Sequence, residues 1–151
     1  GFMTFAAMCQ YNDFFKVGVS CAGNHDNAIY NRWWSEKHHG VREEITAEGD
    51  TTFIYKVANN QELASKLQGR LLIVHGDIDN NVHPANTVRV INNLIRAGKR
   101  FDMLFLPTQR HGFGDMNEYF YWRLVDHFSK YLKGESETSV DIPKRSDINE
   151  I

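Results

Sequence analysis

The sequence predicts an α/β fold in which helices cover a parallel sheet. Three short apolar runs, at residues 16–23, 70–75 and 101–107, are separated by segments with helical periodicity. Strands that alternate with crossover helices build a parallel sheet that is covered on both faces. The chain has 151 residues, of which 42% are hydrophobic, so it can bury a core of single-domain size.

The first two elements are predicted to be a buried helix and a buried strand. Residues 2–11, FMTFAAMCQY, carry apolar side chains on nearly every face. Residues 16–23, KVGVSCAG, are rich in valine and close with a glycine, as is typical of a buried strand. Residues 24–40 mix polar and aromatic side chains, and we expect a loop there with a helical turn around NRWWSEKHH.

The middle of the chain is predicted to hold a helix, a strand and a second helix. The first helical segment runs from TTFIYKV through NNQELASKLQG, residues 51–69, with Asn60 as its cap and Gly69 as its stop. A strand follows at residues 70–75. The next helix begins at Pro84 and ends at Gly98. Its predicted apolar stripe consists of Val88, Ile91, Leu94 and Ile95.

The last predicted elements are a strand, a helix and a tail. Pro107 stops the strand FDMLFLP, and the final helix runs from Asn117 to Lys133. Apolar residues recur in that helix at intervals of four, at Phe120, Leu124, Phe128 and Leu132. Residues 134–151 have no apolar periodicity and mix both charges, which predicts a flexible tail. We therefore expect one domain over residues 1–133 and no second domain.

Composition argues against several classes of partner. The net charge of -2 and the isoelectric point near 6.4 give no electrostatic reason to expect nucleic acid or an anionic membrane. No apolar stretch approaches the roughly 18 residues of a membrane span, and the first residues lack a basic leader.

Cys9 and Cys21 stand among apolar neighbours, so we expect buried free thiols.

Polar residues follow two neighbouring strands at the point where each ends. Asp77 and Asp79 come just after LLIV, and His111 comes just after FDMLFLP. One helix separates these strands, so both loops should open on the same edge of the sheet, where chemistry gathers. A buried aspartate that accepts a hydrogen bond from a histidine fixes its tautomer and stabilises the imidazolium. A pair of this kind is expected here between His111 and one of the two aspartates, and the other aspartate is then a turn residue.

The other histidines and the tryptophans carry weaker signals. His75 and His83 bracket the same loop, but no spacing here matches a standard zinc signature, so no metal site is predicted. Both are interpreted as structural members of the loop. Trp33 is expected in the core. Surface positions are predicted for His25, His38 and His39.

Three segments resemble the dipeptidyl peptidase IV branch of the prolyl oligopeptidase family of serine peptidases. HGDIDNNVH resembles that branch's H-G-x-x-D-x-N-V-H segment, and RHGFG is similar to the loop that carries the family histidine. GFMTFAAM is similar to the continuation of the family's G-x-S-x-G-G-[YF] elbow, with Gly1 as its last glycine. The resemblance covers most of residues 1–133 and implies the C-terminal portion of an α/β-hydrolase fold, with the serine three positions upstream of Gly1.

The resemblance also implies roles for individual residues. Asp79 corresponds to the catalytic aspartate and His111 to the catalytic histidine. Asn81 falls where the branch places an asparagine that binds a substrate carbonyl. Three further residues, Val82, Tyr30 and Trp34, fall where the branch lines a small pocket for a penultimate proline or alanine. The branch commonly has tyrosine at the last of these positions, so Trp34 is a departure that bears on pocket size.

The implied function is part of a serine exopeptidase that removes N-terminal dipeptides after proline or alanine, without a diffusible cofactor. Its implied partners are peptide substrates and the upstream part of its own chain, with the nucleophile elbow and a propeller domain. Residues 117–133 are a candidate homodimer interface, and relatives of this kind favour a periplasmic or secreted parent.

Two alternatives stay open from the sequence. The first is a carboxylesterase on the same fold. The second is an inactive fragment, because no serine in the chain lies in an elbow: Ser20 falls in a strand, and Ser35 and Ser65 in polar helical segments.

Overall fold

The computed structural model describes residues 1–39, 42–54, 59–137 and 139–142 of the chain. In these ranges the helices are α1 (Phe2–Gln10), α2 (Arg32–His39), α3 (Ala85–Arg96) and α4 (Asn117–Phe128). The strands are β1 (Val17–Cys21), β2 (Arg42–Ile45), β3 (Thr51–Ile54), β4 (Arg70–Gly76) and β5 (Asp102–Leu106). Short 3-10 segments cover Asn27–Ile29, Asn60–Lys66 and Gly114–Met116, and a π-helical turn, Ser129–Lys133, extends α4.

The main sheet is parallel, in the order β1-β4-β5. Cys21 pairs with Val74 at the carboxyl end of β1, and Gly76 pairs with Leu106 at the carboxyl end of β5. All three strands therefore end at one edge, and the predicted α/β class is confirmed. None of the helices in the described ranges has the length and apolar character needed to cross a bilayer.

Helices cover both faces of this sheet. The side chains of β4 point alternately to one face and to the other, so both faces need a cover. Leu71 and Ile73 belong to a core cluster with residues of α1 and α3. Leu72 and Val74 belong to a second cluster, which includes Phe120 of α4. All four β4 side chains are at most 2% exposed, so the strand is buried on both sides, as its continuous apolar run predicts.

The helix predicted over residues 51–69 is wrong in its first part. Residues 51–54 form β3, which pairs antiparallel with β2 around a turn in which Gly49 has a φ of 88°. β-branched residues, which favour strands, and a glycine able to adopt positive φ both favour this hairpin. Residues 55–58 lie outside the described part. The helical part is the 3-10 segment Asn60–Lys66, and its cap is Asn59 rather than Asn60.

The predicted stripe of α3 is only partly right. Leu94 is fully buried, and Ile91 is partly buried against the core, but Val88 and Ile95 are 53% and 63% exposed. The buried face is completed by Val90 and by two polar residues, Asn86 and Thr87. Asn86 accepts a hydrogen bond from Asp26 in the loop after β1, and Thr87 bonds to His75 in β4. Apolar periodicity alone does not reveal such partners.

Two aromatic predictions are also corrected. Trp33 is 83% exposed rather than in the core, because Ser35 faces inward and residues two apart point to opposite sides of a helix. His25 is fully buried rather than at the surface. His38 is exposed as predicted, whereas the side chain of His39 lies outside the described part.

Cys9 and Cys21 are free thiols, as expected, but only Cys9 is buried, whereas Cys21 is partly buried. Residues 134–137 and 139–142 hold no helix or strand, and 138 and 143–151 lie outside the described residues. The flexible tail therefore stays a prediction.

Candidate active site

The loop after β4 turns tightly around the carboxylate of Asp79. Its Oδ1 accepts hydrogen bonds from the backbone N–H groups of Asn81, at 2.9 Å, and Val82, at 3.0 Å. The residue is 2% exposed. Asp77 is exposed at the start of the turn, and its N–H donates to the carbonyl of Leu106. The turn thus holds one carboxylate inward and leaves the other in solvent.

The loop after β5 is fastened to the Asp79 loop through the backbone. The N–H of Ile78 donates to the Gln109 carbonyl at 3.2 Å. A Cβ on Gly76 would overlap that carbonyl oxygen and lie 2.7 Å from the carbonyl oxygen of Arg110. Thr108 and Phe113 both have φ values near 60°, a strained conformation that is concentrated in functional loops. The two loops therefore form one unit.

Asp79 and His111 meet in this unit. Nδ1 of His111 lies 2.8 Å from Oδ2 of Asp79. Because the carboxylate accepts, Nδ1 donates, and Nε2 is left with a lone pair. The His111 side chain is 45% exposed, whereas that of Asp79 is fully buried. Nε2 can therefore receive a proton from a group that approaches from solvent.

The surroundings of Asp79 favour its charged form. Burial acts to raise the pKa of this carboxyl group, but the hydrogen bonds from His111, Val82 and Asn81 outweigh burial and hold the pKa below its ordinary value. Asp79 is thus an anion at neutral pH, which can stabilise a protonated His111.

His75 is a third group on the same carboxylate. Its Nε2 lies 2.8 Å from the carbonyl oxygen of Val82 and 3.2 Å from Oδ2 of Asp79, and both are acceptors. Nε2 must therefore carry the hydrogen, and Nδ1 accepts from the hydroxyl of Thr87 at 2.7 Å. Burial lowers the pKa of His75, so it is a neutral donor. Among the described residues no group of three or more acidic, histidine or cysteine side chains could hold a metal ion.

The residues expected to bind substrate lie beside Asp79 and His111. The hydroxyl of Tyr30 donates to Oδ1 of Asn81 at 3.1 Å. The ring of Trp34 meets that of Tyr30 edge-on, with centroids 5.7 Å apart, and Trp34 is 43% exposed. Val82 is 5% exposed. Tyr30 and Asn81 are 51 positions apart in the chain, and the fold brings them into contact.

An ion pair between a buried carboxylate and a half-exposed arginine attaches the segment that carries Tyr30 to α3. Asp26 is 3% exposed, and its carboxylate pairs with Arg89. The N–H of Asp26 donates to the side chain of Asn86, and its Oδ1 accepts from the N–H of Ala28. Sequence reasoning missed these residues, although Asp26 lies in the loop that follows β1, just as Asp79 lies in the loop that follows β4.

A second buried histidine was also missed. His25 contacts Asn60 and Ser20, and burial above all lowers its pKa to about 3. It lies just past β1, so the strand-end argument that singled out Asp79 and His111 would have marked it.

Comparisons with known proteins agree with this geometry. The model of the prolyl oligopeptidase family matches residues 1–135. Dipeptidyl peptidase 8 of Homo sapiens is 31% identical over 111 residues, which are 74% of this chain and 12% of the relative. Inactive dipeptidyl peptidase 10 of Rattus norvegicus is 28% identical over 125 residues, which are 81% of this chain and 15% of the relative. The chain therefore spans a small part of these curated relatives.

Solved structures agree as well. The crystal structure of Porphyromonas gingivalis dipeptidyl peptidase 4 is similar with a TM-score of 0.68 and 31% identity, over 82% of this chain and 17% of that one. A Bacteroides ovatus protein, provisionally named a dipeptidyl aminopeptidase IV, is similar with a TM-score of 0.73 and 28% identity, over 85% and 18% of the two chains. With the family model matched over residues 1–135, the chain belongs to the prolyl oligopeptidase family.

Proposed function

We propose that the protein carrying this chain is a serine exopeptidase that releases dipeptides from peptide N-termini after proline or alanine. The observation that carries the proposal is the contact of 2.8 Å between His111 and the buried Asp79, with Nε2 of His111 left as a base. Membership of the family supports the reaction type. Dipeptidyl peptidases among the relatives support the dipeptide product.

The proposed reaction uses the serine that the family's elbow would place upstream of Gly1. Its hydroxyl attacks the scissile carbonyl while Nε2 of His111 takes the hydroxyl proton, and Asp79 stabilises the imidazolium. His111 then gives this proton to the leaving amine, which departs and leaves an ester on the serine. Water attacks that ester with His111 again as the base, which releases the dipeptide and restores the serine.

Asn81 is proposed to hold the substrate backbone. Its Oδ1 accepts from Tyr30, so its Nδ2 group is the part that can donate to a substrate carbonyl. The rings of Tyr30 and Trp34 stand edge to face and would bound a small pocket with Val82. A proline ring packs well against aromatic faces, which fits the proposed preference.

Replacement of Asp79 by asparagine tests the proposed role of the carboxylate. The new amide would present N–H groups to Nε2 of His75, which is already a donor, and His111 would turn to the tautomer that has no lone pair at Nε2. We expect kcat to fall by about 10⁴-fold with the fold intact. Circular dichroism and turnover of the full-length variant measure this. Turnover close to that of the wild type would remove Asp79 from the mechanism.

The substrate class is tested on the full-length protein with three compounds: glycyl-prolyl anilide, its N-blocked form and a simple aryl ester. Fast cleavage of the unblocked anilide alone, lost in His111→Ala, is the expected result. Turnover of the ester alone would identify an esterase and remove the proposed substrate-binding roles.

Catalytic inactivity is the second candidate, because a matched relative is named an inactive dipeptidyl peptidase. The Asp79–His111 contact favours activity, because it supplies the base and the carboxylate that the proposed reaction needs. Failure of the full-length protein to cleave all three compounds would favour it.

A further inference from the structure

Buried His25 contacts three elements: α1, β1 and the 3-10 segment that begins at Asn60. Its ring packs edge-on against Phe5 of α1, with centroids 5.5 Å apart. Its Nδ1 lies 3.0 Å from Nδ2 of Asn60, and its Nε2 lies 3.4 Å from Oγ of Ser20 in β1. The side chains of Ser20 and Asn60 are also buried, each in a residue that is 1% exposed.

The directions of these hydrogen bonds follow from the groups involved. The amide nitrogen of Asn60 can only donate, so Nδ1 of His25 accepts and Nε2 carries the hydrogen. Nε2 therefore donates to Ser20. The hydroxyl of Ser20 in turn donates to the carbonyl oxygen of Gly1, at 3.0 Å. Asn60 uses its other N–H on the carbonyl oxygen of Phe2, at 2.9 Å.

The network therefore ends on the first two carbonyl groups of α1. The Gly1 carbonyl also accepts the first helical bond, from Phe5, so the side chains hold a helix start that is already formed. The backbone around this helix start is closely packed. A Cβ on Gly1 would lie 2.5 Å from Cα of Gly23, and a Cβ on Gly23 would lie 2.5 Å from Cε1 of His25.

We infer that His25, Ser20 and Asn60 are positioning residues. They fix the position of the nucleophilic serine through the backbone of Gly1 and Phe2. This inference rests on the proposed function, in which the serine stands in the turn directly before α1. The direction of that turn depends on where the helix starts, and the network fixes this start. A displacement of about 1 Å in an active site can reduce turnover by about 100-fold.

The test uses the full-length protein and two variants, Ser20→Ala and His25→Phe. Ser20→Ala removes one oxygen, and His25→Phe keeps a ring against Phe5 while it removes both nitrogens. His127→Phe is the matched control: His127 is also buried and bonds a backbone carbonyl, that of Arg70, but at the opposite end of the sheet.

The main readout is the rate of labelling by diisopropyl fluorophosphate. In this reaction the serine oxygen bonds to phosphorus, fluoride leaves, and the hydroxyl proton passes to His111. We expect labelling and kcat to fall about 10- to 100-fold in both variants, with KM within about twofold. The acidic limb of the pH profile should stay in place because neither variant touches Asp79 or His111. His127→Phe should label at the rate of the wild type.

Labelling of Ser20→Ala at the rate of the wild type would overturn the inference, and this variant decides the matter if His25→Phe does not fold. A wild-type protein that neither labels nor cleaves the anilide would instead refute the proposed function. The two failures are therefore distinguishable.

Discussion

The carboxylate of Asp79 is held by donors of three kinds. Two backbone N–H groups bind Oδ1, His111 binds Oδ2, and neutral His75 also approaches Oδ2. Hydrogen bonds to a charged group contribute roughly 1.5–3 kcal/mol each. The His111 side chain is 45% exposed, whereas that of His75 is fully buried. The two N–H groups and His75 therefore fix the orientation of the carboxylate toward His111.

Two substitutions at His75 distinguish the effect of the hydrogen bond that it donates from the effect of the space that it fills. The amide nitrogen of glutamine reaches about as far as Nε2 of histidine, whereas that of asparagine reaches only as far as Nδ1. We expect kcat of His75→Gln to stay within about threefold of the wild type and that of His75→Asn to fall about tenfold or more. Steady-state kinetics of the full-length proteins measure both. Equal losses in the two variants would mean that His75 only fills space.

The contact between Asp79 and His111 was predictable because each residue lies just after a strand with a short, specific motif around it. The roles of His25 and His75 were not, because burial and partner atoms decide them. Thr87 and Asn60, which bind these two rings, are 12 and 35 positions away in the chain. No local pattern joins such pairs, so sequence reasoning assigned one histidine to the surface and gave the other only a general structural role.

At the scale of elements, α3 connects the predicted chemistry with the predicted pocket. Thr87 supports His75, whereas Asn86 and Arg89 hold Asp26 in the segment that carries Tyr30. These contacts require polar residues on the inner side of the helix. This is why the apolar stripe predicted from periodicity was only partly right.

The pair between Arg89 and Asp26 is predicted to support substrate binding. In Arg89→Met the buried carboxylate of Asp26 loses its charged partner and keeps the donors from Ala28 and Gln61. Because Arg89 is half exposed, the cost is on the order of 1 kcal/mol, and Tyr30 shifts relative to Asn81. We expect KM for the unblocked anilide to rise about tenfold, with kcat within about twofold. Lys133→Ala is the control, since both partners of its ion pair with Glu135 are exposed. An unchanged KM in Arg89→Met would mean that α3 does not position the pocket.

At the scale of the whole molecule, the layered α/β arrangement followed from the alternation of strand and helix patterns alone. The hairpin of β2 and β3 did not, because a four-residue strand such as TTFI has too little length to show a period. The predicted homodimer and the boundary at residue 133 stay predictions.

Acid is predicted to destabilise the fold through its buried histidines. Burial lowers the pKa of His25, His75 and His127 in the folded protein, so their contribution to stability is complete above the unfolded pKa of about 6.5 and is lost as the pH falls below it. Each can remove up to about 1.4 kcal/mol per pH unit until its folded pKa is reached. For His25 that value is about 3. Asp79, whose pKa is also lowered, adds a loss only below about pH 4.

Melting temperatures at pH 7.5 and pH 5.0 check this prediction. His127→Phe cannot take up the proton, so its deficit relative to the wild type should narrow at pH 5.0. A deficit that is equal at both values would show that His127 is not buried in its neutral form.

The backbone bonds between the loops that carry Asp79 and His111 have a consequence for how the sequence can change over evolutionary time. Four residues of these loops are exposed: Asp77, Ile78, Asn80 and Arg110. The N–H of Asp77 bonds to the end of β5, and the N–H of Ile78 bonds to the loop after it. Selection on geometry therefore acts weakly on these side chains and strongly on Gly76, where even a methyl group would meet the opposite backbone. Descendants of this protein can acquire a new surface charge around the site while they inherit its internal spacing unchanged.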